Sequence, residues 1–413
     1  MKAVVFTLGC KVNECESDSL IQGLISRGYE VYDKLVYADL YIVNTCAVTQ
    51  EAEKKSRQTA SRIKKLNPNA KIIFTGCACE KNAKPFAEKS PSYLVTGVFD
   101  KGKILDMLDN AGVNIAPQNQ VYEELLPVKS LRTRTYVKVQ DGCNNFCTYC
   151  IIPYLRGRSR SRAPQSIVDE ITAIKPKEAI INGINLSAYN YEGTGLTGLI
   201  LALKDVDCRI RLGSLEVNVI TEEFLTALKG LKDFAPHFHL SLQAGSNAVL
   251  KSMNRHYTRE QFIEKVNLIR KYFENAGITT DIIAGFPTET EEDFLQSISL
   301  AKEVKFSDIH PFSFSARQGT VAYKMQDLPP QVKKDRLNRL LEVKAELKNK
   351  FIKDRLNTTE FFLPEETVNG YTEGYTGNYI RVYVKDFNGD KKLTKVRLIA
   401  PYGDGAIAEV VKD

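Results

Sequence analysis

The sequence of 413 residues lacks any apolar run long enough to span a membrane. It also lacks a charged and apolar leader, because the segment from Met1 to Cys10 is too short and too uncharged for a secretory signal. We therefore expect a cytosolic protein that makes no membrane contact. In such a reducing compartment, nine cysteines indicate metal binding or catalysis rather than disulfide bonds.

Histidine is scarce, with four in the chain and none near the most closely spaced cysteines. Cys143, Cys147 and Cys150 have a CxxxCxxC spacing, which lets three thiolates share one metal centre. A four-iron cluster takes one thiolate per iron, so three thiolates leave one iron open for another molecule. A zinc site would need a closed tetrahedral set, and no second cysteine pair lies nearby. The spacing favours an iron–sulfur cluster, with zinc and a thioredoxin-like CxxC motif as the alternatives.

A chain of this length is too long for one core and suggests two or three domains. The first, residues 1–115, alternates short apolar runs with helical patterns, such as the helix predicted from Ser17 to Ser26. This alternation predicts a doubly wound α/β domain, in which ligands bind beyond the carboxyl ends of the strands. Three cysteines directly follow predicted strands, and we interpret them as a second cluster site: Cys10, Cys46 and Cys77.

Chance placement of buried cysteines after strands is the alternative interpretation of this second site. The remaining cysteines fall outside both sets, and we interpret them as packing residues: Cys15, Cys79 and Cys208.

After a predicted linker between Gln118 and Arg132, strands and helices alternate again over residues 129–357. Six strand–helix units predict a complete or partial barrel of parallel strands, with functional groups at the strand carboxyl ends. The strand that carries the CxxxCxxC loop comes first. Residues at the ends of the later strands are the predicted cofactor-binding residues: Gly183, Ser214, Glu216, Gln243 and Arg317.

A long charged helix leads to residues 358–413, where short β runs separated by turns predict a small five-stranded barrel. Tyr379, Arg381 and Tyr383 alternate with apolar residues, so one strand face carries aromatic rings and a cation. Such a face can stack bases and bind phosphates, and the excess of seven positive charges modestly favours a polyanionic partner. An ordinary solvated strand face is the alternative.

The chain resembles the methylthiotransferases of the radical S-adenosylmethionine (SAM) superfamily in five motifs. These are Thr-Leu-Gly-Cys10, Asn-Thr-Cys46, Gly-Cys77, the loop from Cys143 to Cys150, and Glu373-Gly-Tyr-Thr-Gly-Asn-Tyr-Ile-Arg381. The resemblance implies an amino-terminal cluster domain, a radical SAM core and a carboxyl-terminal TRAM domain. It also implies two [4Fe–4S] clusters and SAM as cofactors.

The resemblance further implies that the cluster on Cys143, Cys147 and Cys150 cleaves SAM, while the other cluster holds the sulfur that is transferred. An electron donor and a sulfur donor are then required as partners. Within the superfamily the chain most resembles the bacterial threonylcarbamoyladenosine tRNA methylthiotransferases, from the segment that begins at Cys143 and from His239-Leu-Ser-Leu-Gln243. The implied reaction places a methylthio group on C2 of an adenosine beside the anticodon of tRNA.

Threonylcarbamoyladenosine carries a carboxylate, which arginine can hold with two parallel hydrogen bonds. We therefore predict that Arg156 and Arg158, which follow the CxxxCxxC loop, contact the substrate. Their alternative role is contact with tRNA phosphates. The alternative substrates are isopentenyladenosine in tRNA and a ribosomal protein, and a non-catalytic iron–sulfur protein that binds RNA is the alternative to an enzyme.

Overall fold

The computed structural model describes residues 1–89, 93–125 and 132–411. The first part of the chain forms one sheet of six parallel strands, in the order β2-β1-β3-β4-β5-β6. The strands are β1 (Lys2–Thr7), β2 (Glu30–Tyr32), β3 (Leu40–Thr45), β4 (Lys71–Gly76), β5 (Leu94–Thr96) and β6 (Gly112–Asn114). Val4 and Phe74 face one apolar cluster, whereas Ala3 and Ile73 face another on the opposite side. Both faces are buried, which confirms the predicted doubly wound domain.

The first helix of this domain starts earlier than the sequence pattern predicts. The helices are α1 (Lys11–Ser26), α2 (Gln50–Leu66), α3 (Cys77–Lys81) and α4 (Lys84–Ala87), followed by a 3-10 turn at Lys101–Asp106. Helix α1 begins directly after Cys10 rather than at Ser17, and its polar residues Asn13 and Glu16 are buried. A helix buried on both sides has no polar face toward solvent, so apolar periodicity cannot locate its start.

The middle part contains two four-stranded sheets, in the orders β12-β9-β7-β8 and β13-β14-β15-β16, which meet where β12 contacts β14. The strands are β7 (Arg134–Asp141), β8 (Arg160–Ser161), β9 (Glu178–Gly183), β10 (Asn190–Tyr191), β11 (Thr194–Gly195), β12 (Arg209–Leu212), β13 (Ser214–Leu215), β14 (His237–Gln243), β15 (Gly277–Ala284) and β16 (Asp308–Ser313). The helices are α5 (Ile152–Arg156), α6 (Pro164–Ile174), α7 (Leu196–Ala202), α8 (Glu222–Lys229), α9 (Asn247–Ser252), α10 (Arg259–Tyr272) and α11 (Glu291–Val304). Apart from the short strand β8 and the β10–β11 hairpin, the strands pair in parallel, as the predicted partial barrel requires.

Helix α1 of the first domain lies against the interior side of this barrel. Val137 and Val139 of β7 belong to the apolar core between the strands and their helices, so Lys138 faces the barrel interior. There its ammonium pairs with the Glu16 carboxylate of α1 at 3.0 Å. The first two domains therefore share a buried interface.

The last part of the chain is a long helix followed by a closed barrel in the order β17-β18-β19-β21-β20. Its elements are α12 (Pro330–Lys353), β17 (Thr359–Val368), β18 (Tyr371–Thr376), β19 (Arg381–Lys385), β20 (Thr394–Tyr402) and β21 (Gly405–Val410). Phe362, Val382 and Leu398 are fully buried at the barrel centre. The predicted five-stranded barrel is confirmed.

The predicted linker includes residues 126–131, which lie outside the described residues, and the predicted domain boundary at 129 falls among them. Among the described residues, no helix combines the length and the apolar character needed to cross a membrane.

Arg211 of β12 joins the carboxyl-terminal barrel to the middle domain. Its guanidinium is buried and pairs with Glu178 at 2.7 Å. It also donates to the carbonyl oxygens of Thr376 at 3.0 Å and Gly377 at 2.9 Å. One side chain thus satisfies a buried carboxylate and two backbone acceptors of the neighbouring domain.

The predicted base-stacking role of Tyr379 is wrong. Its ring stacks on His237 with the ring centroids 4.5 Å apart, and on Tyr375 at 4.6 Å. The residue has a φ of 72°, so it lies in a turn before β19 and does not continue the strand alternation. Both faces of the ring are covered by protein.

Tyr383 is also unsuited to the predicted stacking, because it is 7% exposed and its hydroxyl donates to Asp404 at 2.5 Å. Its ring packs edge-on against Tyr402 with the centroids 5.1 Å apart. Arg381 is only partly buried and pairs with Glu373 and Asp404. A contact between Arg381 and tRNA stays a prediction.

We predict that Arg211→Met lowers the free energy of unfolding by about 3–5 kcal/mol, because Glu178 would be left buried without a partner. The control is Arg27→Met, which removes an ion pair between side chains that are 40% and 71% exposed. This control should cost at most about 1 kcal/mol. Urea denaturation measures both, and equal losses in the two variants would show that Arg211 does not hold the interface.

Candidate active site

The first cysteine set, Cys10, Cys46 and Cys77, lies at the carboxyl edge of the amino-terminal sheet. Cys10 caps helix α1 after β1, Cys46 follows β3, and Cys77 begins α3 after β4. In the strand order 2-1-3-4-5, the connections after β1 and β3 run in opposite directions and leave a crevice between them. Cys10 and Cys46 flank that crevice, so this fold positions their thiols at its usual ligand-binding edge.

These thiols are close enough to influence one another. A β-carbon built on Gly9 would lie 3.2 Å from the Cys46 sulfur, so the loop that carries Cys10 touches Cys46. Burial, with smaller contributions from the nearby thiols of Cys77 and Cys10, raises the pKa of Cys46 to about 12. Burial likewise raises the pKa of Cys77, against the opposing effect of Arg156. Buried thiols with raised pKa values become thiolates when a metal replaces their protons.

The second cysteine set, Cys143, Cys147 and Cys150, lies in the loop after β7. The Cys143 amide donates to the Gly157 carbonyl at 3.1 Å, and the Cys150 amide donates to Cys147 at 2.9 Å. Burial, with smaller contributions from the neighbouring Cys147 and Cys143 thiols, raises the pKa of Cys150 to about 12. The three thiols of this loop, which follows β7, therefore lie close enough to affect one another.

Each cysteine set offers three sulfur donors. Among the described residues, no three His, Cys, Asp or Glu side chains are close enough to hold a single metal ion. A four-iron cluster, by contrast, takes each thiolate on a different iron. Three thiols without a fourth protein ligand match the donor set of a cluster with one open iron.

A buried charge network connects the two cysteine sets. It consists of two carboxylates and four cations: Glu16, Asp141, Lys101, Lys138, Arg156 and Arg160. Burial would raise the pKa of Glu16, but Arg156, Lys101 and Lys138 together hold it well below its usual range. Lys138, Arg156 and Arg160 similarly lower the pKa of Asp141.

The network carries more positive than negative charge, although uncompensated buried charge is costly. Anionic thiolates of the first cysteine set would supply the missing negative charge, since Arg156 donates from Nε to the Cys77 sulfur at 3.4 Å. This surplus is an independent sign that the site is built for an anionic group.

The prediction that Arg156 binds the substrate is wrong. The side chain is 0% exposed, and its terminal nitrogens donate to Glu16 at 2.8 Å and to Asn13 at 2.8 Å. Asp141 accepts a further hydrogen bond from it at 3.1 Å. With Cys77 on Nε, no face of the guanidinium is left for a substrate carboxylate.

Arg158 has the opposite environment. It is exposed, and it makes no ion pair within the part of the chain that the structure describes. Its guanidinium lies 4.6 Å from the centre of the Phe146 ring, inside the second cysteine loop. A free cation therefore stands beside the candidate cluster.

The residues predicted at the strand ends are arranged around the same rim. Glu216 accepts a hydrogen bond from Asn145 at 2.6 Å and pairs with Arg255 at 3.0 Å. Ser214 begins β13 and is exposed, and Gln243 ends β14 with a φ of 69°. Gly183 ends β9 and packs on Gln140, as a β-carbon there would lie 2.9 Å from the Gln140 side chain.

The predicted cofactor contact of Arg317 is wrong. This residue is 2% exposed and pairs with Glu53 of helix α2 in the first domain. The segment after β16 crosses to that domain, where Gln50 donates to the Ser315 hydroxyl and the Ala316 carbonyl. Arg317 thus serves the domain interface.

Two side chains near the second cysteine set were not predicted. Arg255 donates to the Cys147 sulfur at 3.3 Å, and Asn185 donates to the Cys143 sulfur at 3.7 Å. Asn185 follows the predicted strand end at Gly183 and could have been found from that position. Arg255 lies in a loop after α9, and no local pattern marks it.

Comparison with known proteins agrees with this architecture. Residues 2–97 match a model described as the uncharacterized protein family UPF0004, and residues 137–301 match the radical SAM superfamily. The chain is 36% identical to the threonylcarbamoyladenosine tRNA methylthiotransferase MtaB of Bacillus subtilis, over 100% of this chain and 98% of that protein. It is 38% identical to the protein of the same name in Thermotoga maritima, over 91% and 90% of the two chains.

The chain is also 37% identical to the tRNA-2-methylthio-N(6)-dimethylallyladenosine synthase of a Thermoanaerobacter species, over 98% of this chain and 92% of that protein. Among solved structures, the radical SAM methyltransferase TsrM from Kitasatospora setae has a TM-score of 0.53 at 15% identity. It covers 75% of this chain and 72% of that one. At this identity the likeness concerns the fold alone.

We predict that Gly142→Ala removes iron from the second cysteine set. Gly142 has a φ of 69°, and an added β-carbon would lie 2.0 Å from the Arg158 carbonyl oxygen, so the loop must move. Iron bound after anaerobic reconstitution should fall from about eight to about four per chain. Gly195→Ala is the control, because nothing lies within 4 Å of its added carbon. Full iron binding by Gly142→Ala would contradict the assigned loop geometry.

Proposed function

This chain belongs to the tRNA methylthiotransferase family of radical SAM enzymes, and we propose that it places a methylthio group on C2 of threonylcarbamoyladenosine in tRNA. The observation that carries this proposal is the pair of three-thiol sites joined by one buried charge network. Its enzyme class is transferase, and its cofactors are SAM and [4Fe–4S] clusters. In this proposal Cys143, Cys147 and Cys150 hold the cluster that binds SAM, and Cys10, Cys46 and Cys77 hold the other.

The substrate carbon explains why the fold needs such groups. C2 of an adenosine is neither acidic enough for a general base nor electrophilic enough for a nucleophile. When bound, the two clusters and SAM supply a carbon radical that removes the C2 hydrogen and a methylated sulfur that takes its place. Each turnover therefore consumes two SAM molecules and one sulfur atom, and it requires an electron donor and a sulfur donor as partners.

The protein's own residues fix the positions of the two cysteine sets and of SAM relative to one another. The Gly157 carbonyl anchors Cys143, and Arg156 in the preceding helix reaches Cys77, so one short segment contacts both cysteine sets. Glu216 is fixed by Asn145 and Arg255 at the rim, where its carboxylate can accept hydrogen bonds from SAM. We assign Ser214, Gly183 and Gln243 to the same proposed SAM-binding rim, because each lies at the terminus of a barrel strand.

The carboxylate of threonylcarbamoyladenosine requires a cation that is not already paired. Arg158 meets this requirement because it is exposed, has no ion pair in the described residues and lies beside the second cysteine loop. The isopentenyl group of the alternative substrate, isopentenyladenosine, is a branched hydrocarbon that cannot form an ion pair with a guanidinium. Arg158 therefore favours the threonylcarbamoyl substrate, although the dimethylallyladenosine synthases are similarly close relatives.

We also propose that the five-stranded barrel β17–β21 is a TRAM domain that binds tRNA and that the enzyme acts in the cytoplasm. Arg381 at the barrel surface is the residue proposed to contact the tRNA backbone.

Removing each cysteine set should separate the two halves of the reaction. Changing Cys143, Cys147 and Cys150 to Ala should abolish formation of 5′-deoxyadenosine. Changing Cys10, Cys46 and Cys77 to Ala should preserve that product and abolish sulfur transfer. Chromatography of the nucleosides measures both products, and Cys208→Ala, outside both sets, should retain both. Methylthio transfer by the Cys10, Cys46 and Cys77 variant would refute the second assignment.

Arg158→Met should reduce turnover on tRNA that bears threonylcarbamoyladenosine by about 10- to 100-fold, as expected for the loss of a hydrogen-bonded charge contact. The affinity for tRNA should change much less. Arg62→Met is the matched control, since Arg62 is an exposed arginine over the Phe6 ring at 5.8 Å on helix α2. The wild-type protein should have a low turnover rate on tRNA that bears isopentenyladenosine. Comparable rates on both tRNAs would assign the chain to the dimethylallyladenosine synthases instead.

A further inference from the structure

Arg156 occupies a position that ion pairing alone does not explain. Glu16 retains Lys101 and Lys138 as partners without it, and Asp141 retains Lys138 and Arg160. Both carboxylates would thus stay compensated if Arg156 were absent. Nevertheless a fully buried arginine is placed here, with Nε directed at the Cys77 sulfur at 3.4 Å.

The second cysteine set has an equivalent contact. Arg255 donates from Nη1 to the Cys147 sulfur at 3.3 Å, while Nη2 pairs with Glu216 at 3.0 Å. Each cysteine set therefore receives one N–H group from one arginine of the middle domain. The two arginines differ in burial, because Arg156 is 0% exposed in its side chain and Arg255 is 6% exposed.

A cationic N–H donor on a ligating sulfur has a defined electrostatic effect. A reduced cluster carries one more negative charge than an oxidised one, so a nearby cation and a hydrogen bond to sulfur stabilise the reduced form. Burial strengthens this effect, since solvent and salt do not screen it. Removal of the donor should therefore make the midpoint potential more negative.

We propose that Arg156 is a positioning residue that raises the reduction potential of the cluster on Cys10, Cys46 and Cys77 through its hydrogen bond to Cys77. The inference rests on the proposed function, because it requires a cluster at that site. Arg255 has the same role toward the cluster on Cys143, Cys147 and Cys150. Each arginine acts on its own cluster, so the two potentials are set independently.

The test isolates one cluster at a time in the full chain. With Cys143, Cys147 and Cys150 changed to Ala, only the cluster on the first set remains, and its midpoint potential is measured by a redox titration followed by electron paramagnetic resonance. Arg156→Met and Arg156→Gln should both shift this potential to more negative values. Arg62→Gln is the control, since Arg62 is an exposed arginine of the first domain that lies over the Phe6 ring at 5.8 Å and, in the described residues, contacts no cysteine sulfur. Its potential should equal that of the parent.

Two neutral substitutions are used in case one variant does not fold well enough to bind the cluster. The Gln side chain can still donate a hydrogen bond to Glu16, whereas the Met side chain cannot. An iron-loaded Arg156→Met or Arg156→Gln protein with the parent's potential would overturn the inference. So would a shift of equal size in Arg62→Gln. If the parent itself binds no iron, the proposed cluster site has failed instead.

The reciprocal measurement uses the protein with Cys10, Cys46 and Cys77 changed to Ala. There Arg255→Gln should lower the potential of the remaining cluster, whereas Arg156→Gln should leave it unchanged. Equal shifts from both substitutions would contradict independent tuning.

Discussion

The buried Glu16 carboxylate is the constraint on which the relation of the first two domains depends. It is fully buried and lies on helix α1, yet two of its three cationic partners, Lys138 and Arg156, come from the middle domain. A buried carboxylate left without such partners costs several kcal/mol, so the domains can dock stably in few orientations. That orientation brings the crevice edge of one sheet against the strand ends of the other.

This docking explains how two unrelated folds contribute to the proposed active site. In doubly wound sheets and in barrels of parallel strands alike, ligands bind beyond the carboxyl ends of the strands. Here one short segment links the two cysteine sets, because Arg156 donates to the Cys77 sulfur and the carbonyl of Gly157 accepts from the Cys143 amide. Arg156 spans the boundary, since it touches Cys77 and follows the second cysteine loop within a few residues.

The parts of this arrangement that depend on local pattern could be predicted from the sequence. Strands buried on both faces produce continuous apolar runs, and the cysteines directly after such runs predict the first cysteine set. The CxxxCxxC spacing predicts the second. The partial barrel and the five-stranded barrel could also be predicted, because their strands have a clear local pattern, and both predictions are confirmed. The start of α1 was missed because its polar side is covered by another domain.

The errors concern side chains whose partners are distant in sequence. Nothing in the sequence shows that these side chains already have partners within the protein. Arg156 pairs with Glu16 and Arg317 pairs with Glu53, while Tyr379 stacks on His237, and each partner belongs to another domain. No periodicity encodes such pairing. Arg158 lies only two positions after Arg156 in the sequence. Only the tertiary structure shows that Arg158 is exposed and Arg156 is buried.

The proposal that the two cysteine sets form one active site has a direct magnetic test. Two reduced clusters held close together interact, so the electron paramagnetic resonance spectrum of the fully loaded, reduced protein should be broadened and should relax faster than either cluster alone. The reference is the sum of spectra from two variants that each retain one cluster. We predict a spectrum that departs from this sum. A spectrum equal to the sum would mean that the clusters lie far apart and that the two cysteine sets do not form one active site.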